Sequence, residues 1–230
     1  MSNCDSCFET GTHPFCNLSA SAKAFFDQSV VGVEYPRGGV LFREGEKSHA
    51  VYVICSGSVK LSTTSIEGRT LILRVAQPAD VLGISAALAN GDFEITAEAL
   101  DTCRVALLRK AHLSHMLQNY GGVSLAIAKA LASEYQAAFD EVRMIALSGS
   151  AKGRLATLIL KWAVTNERLP SPSPFLKMSL THDELAGMTG TSRETMTRAL
   201  SQLRRDKIIA LHGVVLTVLN PAALQLYSDS

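Results

Sequence analysis

The stretch GGVSLAIAKALASEYQAAFDEVRMIALSGS (121–150) repeats apolar or small side chains at Ala128, Leu131, Tyr135, Ala138, Val142 and Ile145. Spacings that alternate between three and four residues make a heptad seam and predict one helix of about 25 residues. A helix that long beside a small β domain pairs with its copy in a second subunit, which makes a homodimer the expected state. Folding of the helix against its own β domain is the alternative. The seam also divides the chain, because strand patterning stops before it and helical patterning follows. Four segments are expected: an arm at 1–20, a β domain at 21–120, the dimerisation helix at 121–148 and a C-terminal domain at 149–230.

Between about Tyr35 and Leu108 short strands alternate with glycine turns. VLFREGE (40–46), AVYVICSGSVKLS (50–62), EGRTLILRVA (67–76) and EITAEALDTCRVALLR (94–109) alternate or run apolar over strand length, with Gly45, Gly57 and Gly68 at turns. Strands this short and this close predict a small β-sandwich or roll. With helices elsewhere, the class is α+β: an N-terminal jelly-roll-like domain, a long helix and a helical C-terminal domain.

The C-terminal segment LTHDELAGMTGTSRETMTRALSQLRRDKIIALHGVVLTVL (180–219) begins with Thr181 and Glu184, spaced as a capping box. The helix they start breaks at Gly190, and Ser192 opens a second one whose inward stripe is Met196, Ala199, Leu200 and Leu203. Two short helices about a glycine turn make a helix-turn-helix, and IIALHGVVLTVL supplies a hairpin wing turning at His212-Gly213. Arg193, Glu194, Thr197 and Arg198 share the outward face near the second helix's N-terminus, where side chains reach base edges in a major groove. Arginine grips guanine bidentately and glutamate accepts from cytosine, so half-sites containing a G·C step are expected. Ser192, Arg204, Arg205 and Lys207 suit phosphates, which position without specifying sequence. Charge supports this, because residues 148–230 carry ten Lys/Arg against six Asp/Glu, whereas 1–147 carry twelve against fifteen.

At these residues the chain resembles the CRP/FNR superfamily of bacterial transcription regulators. SRETMTRALSQLRRDKII resembles the family's recognition helix, and YPRGGVLFREGE, VYVICSGSVKL and ADVLG resemble its β-roll, a fold like that of cyclic-nucleotide-binding domains. The resemblance implies a homodimer on a two-fold palindromic double-stranded operator, acting on RNA polymerase, with Arg193, Glu194 and Arg198 at base-reading positions.

In this family the roll often holds a cyclic nucleotide, with a Glu on the ribose and an Arg on the phosphate. Here Ile84 and Ser85 stand where that Glu belongs, and no Lys or Arg occurs between Arg74 and Arg104. A buried phosphate needs a positive partner, so no cyclic nucleotide is expected.

The arm, MSNCDSCFETGTHPFCNL, holds Cys4, Cys7 and Cys16 of the chain's five cysteines. It resembles the FNR branch, where an N-terminal cysteine cluster and one distant cysteine bind an oxygen-labile [4Fe–4S] cluster. The resemblance implies sensing of oxygen, nitric oxide or redox state. The branch's distant cysteine falls on Ala106 here, so the fourth ligand would be Cys55 or Cys103. Cys103 shares strand parity with Val105 and Leu107 and so faces the core, whereas Cys55 lies at a strand end before Ser56-Gly57, which favours Cys55. A [2Fe–2S] cluster, a Cys3His zinc site completed by His13, a reversible disulfide, and a DNA-binding protein without an effector remain open at this stage.

Other classes find no support in the residues. Six scattered histidines, with no P-loop, G-x-G-x-x-G or HExxH, predict no enzyme. Hydrophobic content of 47% with 19% charged residues is globular, and no apolar run reaches membrane-spanning length. The polar first residues do not form a secretory signal, so a cytoplasmic location is expected.

Overall fold

The computed structural model describes residues 15, 18–68, 70–147, 149–167, 175–177, 180–212 and 215–228, without the side chains of 140–141, 144–147, 164–167 and 175–177. The chain forms two compact units, Met1–Ala138 and Phe139–Ser230, so the dividing point falls inside the long helix.

The first unit runs α1 (Ala20–Ser29), β1 (Val30–Tyr35), β2 (Val40–Phe42), β3 (Ala50–Ser56), β4 (Val59–Thr64), β5 (Thr70–Ala76) and β6 (Val81–Leu82). There follow α2 (Ile84–Ala89), β7 (Thr96–Ala99), β8 (Cys103–Arg109), α3 (Lys110–Asn119) and α4 (Gly121–Leu147). Two four-stranded antiparallel sheets, β1-β8-β3-β6 and β2-β7-β4-β5, form the expected roll. The strands start earlier than the glycine pattern suggested, because β1 pairs with β8 from Val30 onward.

Strand β3 explains the layering. Ala50–Cys55 are all buried, and because strand side chains alternate, both faces of the sheet must be covered. Ala50, Tyr52 and Ile54 join Leu61, Ala97, Cys103 and Val105 in the core between the sheets. Val51, Val53 and Cys55 join Ala106 and Leu108 on the opposite face, under Phe26 of α1, Met116 of α3 and Val123, Ile127 and Ala130 of α4. The β3–β8 register slips between Ile54 and Ser56, so Cys55 occupies a bulge. Gly57 follows it at φ 83°, and a Cβ there would lie 2.6 Å from the Thr102 carbonyl oxygen. Only glycine fits that approach, which lets Asp101 accept from the Ser58 N–H at 2.8 Å.

Helix α4 divides the heptad expectation between two faces. Leu131 packs against the roll's outer core and is not on an open seam, a correction to the pattern read from the sequence. The open stripe is Leu125, Ala128, Ala132, Tyr135, Phe139 and Val142, again spaced alternately three and four apart. Leu125, Tyr135, Phe139 and Val142 are 60%, 67%, 55% and 64% exposed. Ala138 is also exposed, and the Ile145 side chain lies outside the described residues. The roll takes one face of α4 and leaves the other uncovered.

The second unit contains α5 (Ala151–Glu167), β9 (Phe175–Lys177), α6 (His182–Thr189), α7 (Arg193–Arg205), β10 (Ile209–His212), β11 (Val215–Val218) and α8 (Pro221–Ser228). The capping box forms as its spacing predicts: the Glu184 N–H donates to Thr181 Oγ1, and the Thr181 N–H donates to Glu184. Gly190 ends α6 in the left-handed region at φ 60°, and Ser192 caps α7 by accepting from the Thr195 N–H. Met196, Ala199, Leu200 and Leu203 are buried with Leu155, Leu158, Ile159 and Leu185. The wing is a three-stranded sheet, β10-β11-β9, not a bare hairpin, because β9 pairs along β11. Gly213, expected at the hairpin's tip, lies outside the described residues.

Candidate nucleic-acid interface

Once α7 buries its apolar stripe, the first turns of its other face are open. Arg193, Glu194, Thr197 and Arg198 are all exposed, as the sequence predicted. Arg193 meets Asp183 of α6 at 3.8 Å with both side chains mostly exposed. A pair that open contributes little, so Arg193 can exchange it for a base edge at small cost. Arg198 spends one of its five donors on Thr195 Oγ1 at 3.3 Å and keeps the fork needed for guanine.

The carboxyl of Glu194 is held below the usual carboxylate range. Its own backbone N–H is the main cause, followed by the Ser192 hydroxyl and the neighbouring Arg193 and Arg198. It stays ionised and acceptor-only, as pairing with the cytosine amino group demands. Thr197 Oγ1 donates to the Arg193 carbonyl at 2.9 Å and lies 3.0 Å from His182 Nδ1 of α6. The sequence reading overlooked His182. Its place at the first helical position after the Thr181 cap was the available signal.

Arg204 and Arg205 lie eleven and twelve residues beyond Arg193, about 17 to 18 Å along the helix, at the end remote from Arg193 and Glu194. Both are exposed, as is Lys207, which follows at φ 55°. Arg205 donates to Gln202 at 2.7 Å, and Gln202 donates to Asp206, which also accepts from Tyr227 of α8. This ties the basic end of α7 to the C-terminal helix. Ser192 stands at the helix start, its hydroxyl used as the cap.

In the roll unit, a cavity of about 300 Å³ lies between α4 and the β5–β6 segment, lined by Arg74, Asp80, Lys129, Ser133 and Glu134 among others. Arg74 is committed to Asp80 at 2.6 Å. Burial pushes the Glu134 carboxyl up to about 7. Arg74 opposes the shift, while Asp80 and Glu94 add to it. At the positions matched to the ribose-holding Glu, Ile84 is buried in the outer core and Ser85 donates to the Glu94 carboxylate at 2.9 Å.

Cys4, Cys7, His13 and Cys16 lie outside the described residues. Phe15, directly before Cys16, is fully buried and stacks on Phe26 at 4.8 Å between ring centroids. It belongs to the same core cluster as Cys55. Cys55 is 9% exposed, and its thiol reaches the Val53 carbonyl at 3.7 Å. Cys103 is fully buried between the sheets, where burial, with Asp101 and Cys55 adding, pushes its thiol up to about 11.

Comparison with known proteins agrees with this geometry. The cyclic nucleotide-binding domain family matches residues 32–120, and the Crp-like helix-turn-helix domain family matches residues 153–227. The cyclic AMP receptor protein of Thermus thermophilus is 29% identical over 192 residues, 83% of this chain and 85% of that one. The CRP-like cAMP-activated global transcriptional regulator of Mycobacterium tuberculosis is 25% identical over 86% of this chain and 88% of its own length. The structure of FixK2 from Bradyrhizobium japonicum shares the fold with a TM-score of 0.75 at 22% identity, covering 87% of this chain and 98% of that one. These relatives are regulators and not enzymes, and no helix among the described residues is long and apolar enough to cross a membrane. With a roll, a long helix and a helix-turn-helix in that order, matched at both ends, the chain belongs to the CRP/FNR family of DNA-binding transcription regulators.

Proposed function

We infer that the protein is a homodimeric, redox-responsive regulator that binds a palindromic operator and acts on RNA polymerase. Its sensor is an iron–sulfur cluster held by the arm and Cys55. One observation carries the sensing half: Phe15 is seated in the core cluster that also contains Cys55 and the buried face of α4.

The energetics limit what that anchor does alone. Burying one phenylalanine contributes about 1.5–3 kcal/mol, whereas fixing each backbone residue costs about 1–2 kcal/mol. Phe15 can hold itself and a neighbour, so a ligand bridging the arm's thiolates to the roll would add what one buried ring does not supply. A four-thiolate set fits an iron–sulfur cluster, with Cys4, Cys7 and Cys16 from the arm and Cys55 from the β3 bulge. Cys103 faces the other core, behind the sheet. When bound, the cluster supplies an anchor that oxygen or nitric oxide removes.

The chain's own residues transmit the change. Val123, Ile127 and Ala130 of α4 share the core with Phe15 and Cys55, so docking of the arm bears on how α4 is held. The open stripe from Leu125 to Val142 then pairs with its copy and sets two α7 helices about one DNA turn apart. Coupling requires the docked arm to favour the paired state over the unpaired one. The lack of any Lys or Arg between Arg74 and Arg104 along the sequence, and the acidic Glu94, support an effector other than a cyclic nucleotide.

The test is iron and acid-labile sulfide per chain after oxygen-free purification, with operator affinity measured before and after air exposure. About four of each, a visible absorption that bleaches in air and a parallel loss of binding are expected. A colourless, iron-free protein, with or without zinc, that grips its operator undiminished overturns the sensor and leaves the regulator.

A further inference from the structure

A threonine hydroxyl carries one hydrogen and two lone pairs. In Thr197 that hydrogen goes to the Arg193 carbonyl at 2.9 Å, the back-bond a helical threonine makes to the preceding turn. The 3.0 Å contact between Thr197 Oγ1 and His182 Nδ1 therefore runs the other way, with the imidazole donating from Nδ1. The hydroxyl has no hydrogen left for a base, and it is pinned from two sides: by its own helix and by the first turn of α6. Both contacts hold the oxygen on the side of the preceding turn. With its hydrogen and one lone pair taken, exposed Thr197 has its methyl as the apolar group to offer beside Arg193, Glu194 and Arg198.

We propose that Thr197 reads a thymine through its methyl group, and that His182 is the positioning residue that keeps the hydroxyl turned away. A threonine methyl against the thymine C5-methyl is an established mode of major-groove readout and needs no hydrogen bond. Asp183, next to His182, meets Arg193 only through a long, exposed contact, so the firm contact from the first turn of α6 is the one to Thr197. The proposal adds a thymine to the G·C step expected from Arg198 and Glu194. It rests on α7 being the base-reading helix.

The experiment uses the full chain and an operator defined by binding selection. Each thymidine is replaced in turn by deoxyuridine, which removes the methyl and nothing else. One position is expected to cost the wild type about 3- to 5-fold in affinity per half-site, the size of one buried methyl. Thr197→Val keeps a methyl and should stay sensitive at that position, whereas Thr197→Ser keeps the hydroxyl and should become indifferent. His182→Ala should reduce sensitivity there while leaving preference at the guanine unchanged. If no deoxyuridine position matters, or if Thr197→Ser responds like the wild type, the proposal is overturned. Arg198→Ala separates the two levels. If it retains full affinity and base preference, α7 is not the reader. If it loses them while deoxyuridine has no effect, only the methyl contact fails.

Discussion

Arg198 and Arg205 lie on one helix and carry the same charge, yet Arg198 stands near its middle and Arg205 at its C-terminal end. Arg198 sits one turn beyond Glu194 on the exposed face expected to read bases, and Arg205 sits at the basic end with Gln202. Arg198→Ala is expected to cost about 1–3 kcal/mol and to relax preference at one guanine, whereas Arg205→Ala should weaken every sequence alike and lower the salt dependence. Binding selections and salt titrations of the two variants check this, and identical profiles would contradict the assignment. Both side chains are exposed, so folding should survive either change.

Helix α4 carries two opposed faces, and each supports a measurement. On the open face, Phe139→Asp puts a charge into the apolar stripe between Tyr135 and Val142. Dimerisation should weaken by at least about 2 kcal/mol in sedimentation equilibrium, with little effect on the fold of either unit. On the roll-facing side, Glu134 titrates at about 7 in the folded chain against 4.5 for the free group. The folded state therefore holds the proton more tightly. Its contribution is fully present below the unfolded value and is lost as pH rises to the folded value, so stability falls between about pH 4.5 and 7. Glu134→Gln removes that titration. Above pH 7 the variant should be the more stable protein by about 1–2 kcal/mol, less than the full shift because solvent reaches the group. Urea unfolding at pH 5 and pH 8 measures it, and a wild-type slope retained in the variant would place the titration elsewhere.

Over the whole molecule, the two described cysteines allow the proposed sensor to be tested apart from stability. Cys55→Ser should lower iron content per chain in oxygen-free material and abolish the air-sensitive part of operator binding, with only a small change in melting. Cys103→Ser should leave the iron in place and destabilise the roll by about 1–3 kcal/mol, because a hydroxyl enters a fully buried site. Metal analysis and thermal melting of the two variants give opposite patterns if Cys55 is the ligand, and the reverse assignment names Cys103.

The elements legible in the sequence were those whose signals are local. The Thr181–Glu184 capping box, the Gly190 turn, the Ser192 cap and the inward stripe of α7 need only neighbours within a few residues, and all four stand where their spacing put them. The glycine-punctuated strands were readable for the same reason. Helix α4 was readable as a helix but not as to its faces, because two stripes with the same alternating spacing run along it. Only the docking of Val123, Ile127 and Ala130 on the roll decides which one stays open. The third strand of the wing and the His182–Thr197 contact were illegible, since each joins residues far apart in the chain. By itself the sequence determined the order of roll, helix and DNA-reading domain, and which residue types could meet bases or a metal, because periodicity and capping are properties of short windows. The tertiary structure alone decided that Cys55 shares a core with Phe15 while Cys103 looks the other way. Side chains one strand position apart point to opposite faces, and only the packed sheet shows what covers each face.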